Sequence, residues 1–255
     1  MKKSAISRFL GATLALPALL TLAACGSDDA ATQEAGGFAA DRVENVAPPE
    51  GKLWSEVVAR TEEGGYLMGN PEAPIKLIEW GALSCSHCAE FSETAYSSLV
   101  GDYVESGRVS YELRFYMLNG YDVPATMIAT CSADEAVFPL AEQMWANQSS
   151  FYDNIRAAGD ETIQQAATLP ENQRYVRLAQ IFGFVDFATA RGISRDQAEV
   201  CLSQSEKAEQ WAQMSAEQSQ KYSITGTPTF QLNGTMIQAK PWEELEADLQ
   251  AAGAR

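Results

Sequence analysis

The stretch "WGALSCSHCAEF", residues 80–91, sets two cysteines around a serine and the only histidine of the 255-residue chain. Cys85-Ser86-His87-Cys88 reads as half of a metal site, a structural disulfide or a redox centre, and its surroundings weigh between them. The apolar run ending at Leu83-Ser84 has strand character, and helical patterning begins near Ser86. Cys85 therefore sits at a helix N-terminus, where unpaired amides and the helix dipole favour an anion. His87 adds a neighbouring cation when protonated. Cys88 follows three residues later on the same side of the first turn, less exposed than Cys85. This is the arrangement of a thiolate nucleophile with a resolving partner.

Zinc binding requires four nitrogen or sulfur ligands. Outside the motif the chain offers Cys131 and Cys201, 70 residues apart, and no further histidine. A metal-binding chaperone using Cys-Ser-His-Cys stays open as the alternative from another class. A purely structural Cys85–Cys88 bridge closes too short a loop to stabilise much. A hydrolase would have to use His87 as its base, between two cysteines able to oxidise together. The redox reading is favoured, and it calls for no metal and no organic cofactor.

The start of the chain speaks to compartment. Lys2, Lys3 and Arg8 precede an apolar run from Phe9 to Ala23, shorter than the roughly 20 residues of a spanning helix. The pattern is that of an export signal. It ends in Leu22-Ala23-Ala24-Cys25, which resembles the bacterial lipobox and predicts lipidation at Cys25 after removal of residues 1–24. Outside the cytoplasm disulfides persist. With Cys25 assigned to lipid, four cysteines remain, and the even count predicts a Cys131–Cys201 disulfide clipping a helical block. Removing the three basic signal residues from 18 leaves 15 against 34 acidic ones, a net charge of −19. Such acidity disfavours binding to nucleic acid or to anionic lipid heads.

Residues 25–52 contain little that is large and apolar, and composition predicts a flexible acidic tether. Residues 53–255 suffice for one domain. "KLWSEVVA" reads as an edge strand, "IKLIEWGAL" (75–83) as a central one, and "RVSYELRFYML" (108–118) as a third. Residues 123–221 read as helices broken near Gly159, Leu169-Pro170 and Gly192. Strands "TPTFQLN" and "TMIQA" follow, turned at Asn233-Gly234, and a last helix opens at Pro241. The layout is α/β.

Two residues outside the motif carry chemistry. Glu79 is an acid in an apolar strand, costly unless it has a partner or a task, and it can exchange a proton with Cys88. Pro228 opens a strand after Gly226-Thr227, a position where proline is tolerated in either isomer.

In this order, "MGNPEAPIKLIEW", "CSHC", a helical insertion and "GTPTFQLNG" resemble the DsbA-like thiol–disulfide oxidoreductases of the thioredoxin superfamily, over roughly residues 53–255. The resemblance implies a thioredoxin-like fold with a large inserted all-helical subdomain. It implies Cys85 as attacking thiol, Cys88 as resolving thiol, Glu79 as the buried acid, and Pro228 as a cis-proline facing the site. Thr227 would pair its backbone with a substrate chain. Ser86 stands where DsbA itself usually has proline, and the pair between the cysteines tunes the potential. The implied activity is oxidation of thiol-containing exported proteins on the periplasmic side, with a membrane redox partner restoring the disulfide. A reductase or isomerase using the same site is the alternative.

Overall fold

The computed structural model describes residues 40–255; the export signal expected over residues 1–24 and the lipidation expected at Cys25 lie outside the described residues. Six strands form one sheet in the order β1-β2-β4-β3-β5-β6. They are β1 (Val58–Arg60), β2 (Tyr66–Gly69), β3 (Ile75–Gly81), β4 (Val109–Phe115), β5 (Thr229–Leu232) and β6 (Thr235–Ile237). Only β3 and β4 run parallel; the crossover between them is α1 (Ser86–Ser98), extended by a π-helical turn at Leu99–Val104. A parallel pair needs such a helix to return the chain to the same end of the sheet. The β5–β6 hairpin turns at Asn233 and Gly234, both at positive φ (49° and 84°), the conformation a two-residue hairpin loop demands.

Between β4 and β5 the chain builds eight helices: α2 (Asp122–Ala129), α3 (Val137–Ala146), α4 (Gln148–Ala158), α5 (Asp160–Ala167), α6 (Glu171–Phe182), α7 (Phe184–Thr189), α8 (Arg195–Leu202) and α9 (Ser205–Tyr222). The breaks expected at Gly159, Leu169-Pro170 and Gly192 separate α4 from α5, α5 from α6 and α7 from α8. Helix α10 (Trp242–Ala251) closes the chain behind Pro241.

Successive residues of β3 point to opposite faces. Leu77 and Glu79 face inward with Tyr111, Leu113 and Phe230 of the neighbouring strands, under α1 and α3. Phe91 of α1 packs on Phe230 (4.8 Å between ring centroids) and on Trp242 of α10 (6.4 Å). Trp80 points the other way, against Tyr222 and Arg114, with its indole N–H donating to Gln218 of α9.

Three expectations change. Residues 40–52, assigned to a tether, lie in part against the body. The amides of Ala40 and Val43 donate to the carbonyls of Ala251 and Gly253 (3.0 and 2.9 Å), and that of Val46 to Ser106 (2.9 Å). Composition saw the lack of apolar bulk but not this backbone pairing, which Val43 supports by packing on the core. Second, "KLWSEVVA" is a strand only in its last part. Glu105 takes the amide hydrogens of Trp54 and Ser55 (3.0 and 2.9 Å), so these close a 3-10 turn instead of joining the ladder. Third, β2 has no counterpart in the sequence reading, because four residues ending in glycine give too short an alternation.

Candidate active site

The loop from Ala82 to Cys85 joins β3 to α1, and the helical insertion grips it. Trp145 of α3 donates its indole N–H to the Ala82 carbonyl (3.0 Å). The Gln148 side-chain amide donates to the carbonyls of Leu83 (2.9 Å) and Cys85 (3.1 Å), and the Tyr152 hydroxyl to that of Ser84 (2.7 Å). Asp122, fully buried at the start of α2, accepts from the amide and hydroxyl of Ser84 (2.8 Å each) and from the amides of Leu118 and Asn119. A loop that would otherwise carry buried, unpaired carbonyls is thereby satisfied and fixed in place. The sequence does not single out any of these holding residues; each lies 37 or more positions beyond Cys85, at the edge of or within the segment that reads simply as helix.

Cys85 is the N-cap of α1, its Sγ accepting from the Cys88 amide at 3.4 Å. When protonated it also donates to the Thr227 carbonyl at 3.2 Å across the groove. Its thiol is pushed down from 9.0 to about 5. The largest cause is hydrogen bonding from the Cys88 thiol. Burial opposes it, and the Thr227 side chain and the amides of Cys88 and His87 add to the lowering. Cys88 moves the opposite way, well above the ordinary range, because it is fully buried and then because of Cys85 and Glu79. Two free thiols one helical turn apart are thus driven to opposite protonation states. His87 contributes to that lowering through its backbone amide, and its side chain is exposed. Ser86 is exposed beside it.

Glu79 is fully buried on the face below the thiols. Its Oε2 accepts from the Tyr111 hydroxyl at 2.5 Å, and its Oε1 has no partner. Burial raises its carboxyl to about 8, against the lowering by Tyr111 and with further raising by Glu142 and Cys85. The carboxyl therefore holds its proton at neutral pH, close to the thiol least able to lose one.

Thr227-Pro228 is a cis peptide, and it lies over Cys85 although some 140 residues separate them. A groove of about 520 Å³ runs from this point, lined by His87, Phe91, Thr94, Pro228, Pro241 and Trp242. Glu79, Cys85, Ser86, His87, Cys88, Thr227 and Pro228 thus meet at one end of β3. Cys131 and Cys201 lie elsewhere, bonded to each other between the end of α2 and α8 (Cα–Cα 5.8 Å). So paired, they cannot complete a four-ligand zinc site with Cys85 and Cys88. Among the described residues no helix is long and apolar enough to cross a membrane.

The model of the Thioredoxin family matches residues 61–251. A relative from Rickettsia bellii, provisionally named a protein-disulfide oxidoreductase, is 22% identical over 204 residues, covering 80% of this chain and 70% of its own. A similarly named protein from Rickettsia typhi is 21% identical, covering 73% of this chain and 61% of its own length. Among solved structures, protein-disulfide isomerase from Novosphingobium aromaticivorans superposes with a TM-score of 0.68 at 26% identity, over 72% of this chain and 95% of that one. Wolbachia pipientis alpha-DsbA1 superposes with a TM-score of 0.61 at 18% identity, over 76% and 94%. With a family match across most of its length and a helical insertion set into the sheet as in the DsbA-type neighbours, this chain belongs to the thioredoxin family.

Proposed function

We propose that the protein is a thiol–disulfide oxidoreductase working outside the cytoplasm as a dithiol oxidase, which passes a Cys85–Cys88 disulfide to thiol-containing exported proteins. The observation that carries this reading is the opposed tuning of the two thiols, Cys85 lowered to about 5 and Cys88 raised. A substrate thiolate attacks Cys85 Sγ, the Cys85–Cys88 bond breaks, and its electron pair leaves on Cys88, which takes the proton held by Glu79. A second substrate thiolate then attacks the substrate sulfur of the mixed disulfide, and Cys85 departs as a stabilised thiolate. Stabilising that reduced form is what makes such a pair oxidising.

The substrate chain is placed along the groove beside Thr227 and Pro228, its backbone pairing with Thr227. Phe91 and Trp242 offer apolar walls. A redox partner in the membrane restores the disulfide, and lipidation at Cys25 holds the enzyme near it; the lipobox-like end of the signal supports this anchoring. Reduction or isomerisation by the same site is the second reading, favoured by the protein-disulfide isomerase among the structural neighbours.

The deciding experiment is the reduction potential of the Cys85/Cys88 pair against glutathione, combined with trapping. A potential near thioredoxin's, about −270 mV, would assign the reductase direction instead. Cys88→Ser is expected to accumulate mixed disulfides and Cys85→Ser to form none; accumulation on Cys85→Ser reverses the roles.

A further inference from the structure

A second carboxyl lies behind the first. Glu142 projects from α3, one turn before Trp145, and its Oε2 accepts from the Ser92 hydroxyl of α1 at 2.5 Å. It is half-buried at the α1–α3 interface, in the wall of an open cavity of about 570 Å³ formed with Ser86, Ala89, Ser92 and Trp145. The partnerless Oε1 of Glu79 reaches toward the same interface. A methyl group placed on Gly81 would meet it at 3.0 Å and Trp145 Cζ2 at 3.2 Å, so acid and indole border one point above β3. Trp145 thus borders both the inner carboxyl and the cavity that the outer one lines, and its indole also holds the reactive loop.

We propose that Glu142 is a positioning residue for the proton on Glu79, its charge state, set from the solvent-reached cavity, adding to burial in keeping the inner carboxyl protonated. The inference rests on the oxidoreductase reading for its consequence, because Glu79 supplies the proton that Cys88 takes when the Cys85–Cys88 bond breaks. The carboxylate left on Glu79 regains its proton from water on the Glu142 side, so the cycle balances.

The other groups facing this pair do not replace Glu142. Toward Glu79 they are the Tyr111 hydroxyl from β4, which donates to it, and Cys85 and Cys88 from the start of α1. Toward Glu142 they are Tyr96 of α1, and Glu90 and Glu93 on the cavity rim. No cation lines that cavity. Burial holds Glu142 at about 7, below the about 8 of Glu79, and its negative charge is one of the causes raising Glu79. A negative charge on the outer group therefore favours the proton on the inner one.

The test is an infrared titration of the protonated carboxyl band that disappears in Glu79→Gln, made on wild type and on Glu142→Gln. Glutamine keeps an acceptor for Ser92 and removes the charge. The Glu79 midpoint should fall by about one unit in Glu142→Gln, as expected for the loss of a nearby like charge. With it, the rate at which dithiothreitol reduces the oxidised protein, expressed per attacking thiolate, should drop several-fold between pH 7 and 8. An unmoved midpoint, or no band lost in Glu79→Gln, overturns the proposal whatever the enzyme's activity. A shifted midpoint in a protein that exchanges no disulfides leaves the coupling standing and sinks the oxidoreductase reading instead.

Discussion

Replacing Cys88 by alanine and by serine separates two sources of thiolate stabilisation at Cys85. The Cys88 thiol is the largest cause of the lowered Cys85 value, ahead of Thr227 and of the amides of Cys88 and His87. Serine retains a donor at that place; alanine removes it. A hydrogen bond to a charged group is worth about 1.5–3 kcal/mol, and about 1.4 kcal/mol moves a pKa by one unit. The full loss corresponds to about one to two units. Water entering from the groove replaces part of the bond, so the lower figure, about one unit, is expected. Thiolate absorbance near 240 nm, followed against pH, should give a midpoint at about 5 for the reduced wild type. Cys88→Ser should stay near that value and Cys88→Ala rise toward 6.

The sign of the linked stability follows. Because the folded value is depressed, the thiolate stabilises the reduced fold fully above the ordinary thiol range, and that stability is lost as pH falls through about 5. Reduced protein should therefore lose more stability than oxidised protein between pH 7 and pH 4. An alanine variant with an unchanged midpoint would refute the reasoning and leave the helix terminus as the source of the shift.

Glu79→Gln should slow disulfide exchange by about 10²-fold at neutral pH; the rate per thiolate should lack the decline expected of wild type as pH rises through about 8, measured by stopped-flow reduction of the oxidised protein. Asp122→Ala strips the acceptor from the amides of Ser84, Leu118 and Asn119 and should cost about 3 kcal/mol in urea denaturation, with a raised Cys85 midpoint as the loop loosens. Cys131→Ser with Cys201→Ser opens a link spanning 70 residues, worth roughly 4 kcal/mol in the chain-entropy model. Alkylation after graded dithiothreitol, read by mass spectrometry, should show Cys85 and Cys88 modified before Cys131 and Cys201.

The sequence is most informative where chemistry and periodicity coincide. The change from the apolar alternation of Ile75–Trp80 to a helix at Ser86 places Cys85 on a helix terminus, and β3 and α1 lie there. Glu79 stands out because an acid interrupts an apolar strand, and burial of that acid follows from the strand being central. What surrounds them is not legible in the same way. Asp122, Trp145, Gln148 and Tyr152 are ordinary helix residues in one dimension, and they become partners of residues 82–85 only through the packing of α2, α3 and α4. Glu142 is as inconspicuous, one acid among 34 charged alike.

The grip of the insertion on residues 82–85, together with Thr227 across the groove, bears on the order in which the site matures. Chains are made from the N-terminus, so both cysteines exist before the side chains that tune them. Asp122 to Tyr152 arrive 34 to 64 residues after Cys88, and Thr227 139 residues after it. Until then Cys85 is a thiol without its Thr227 partner and without a fixed loop. The reactive pair is latent until Thr227 has been made, and becomes a thiolate–thiol couple only when the chain can fold around it.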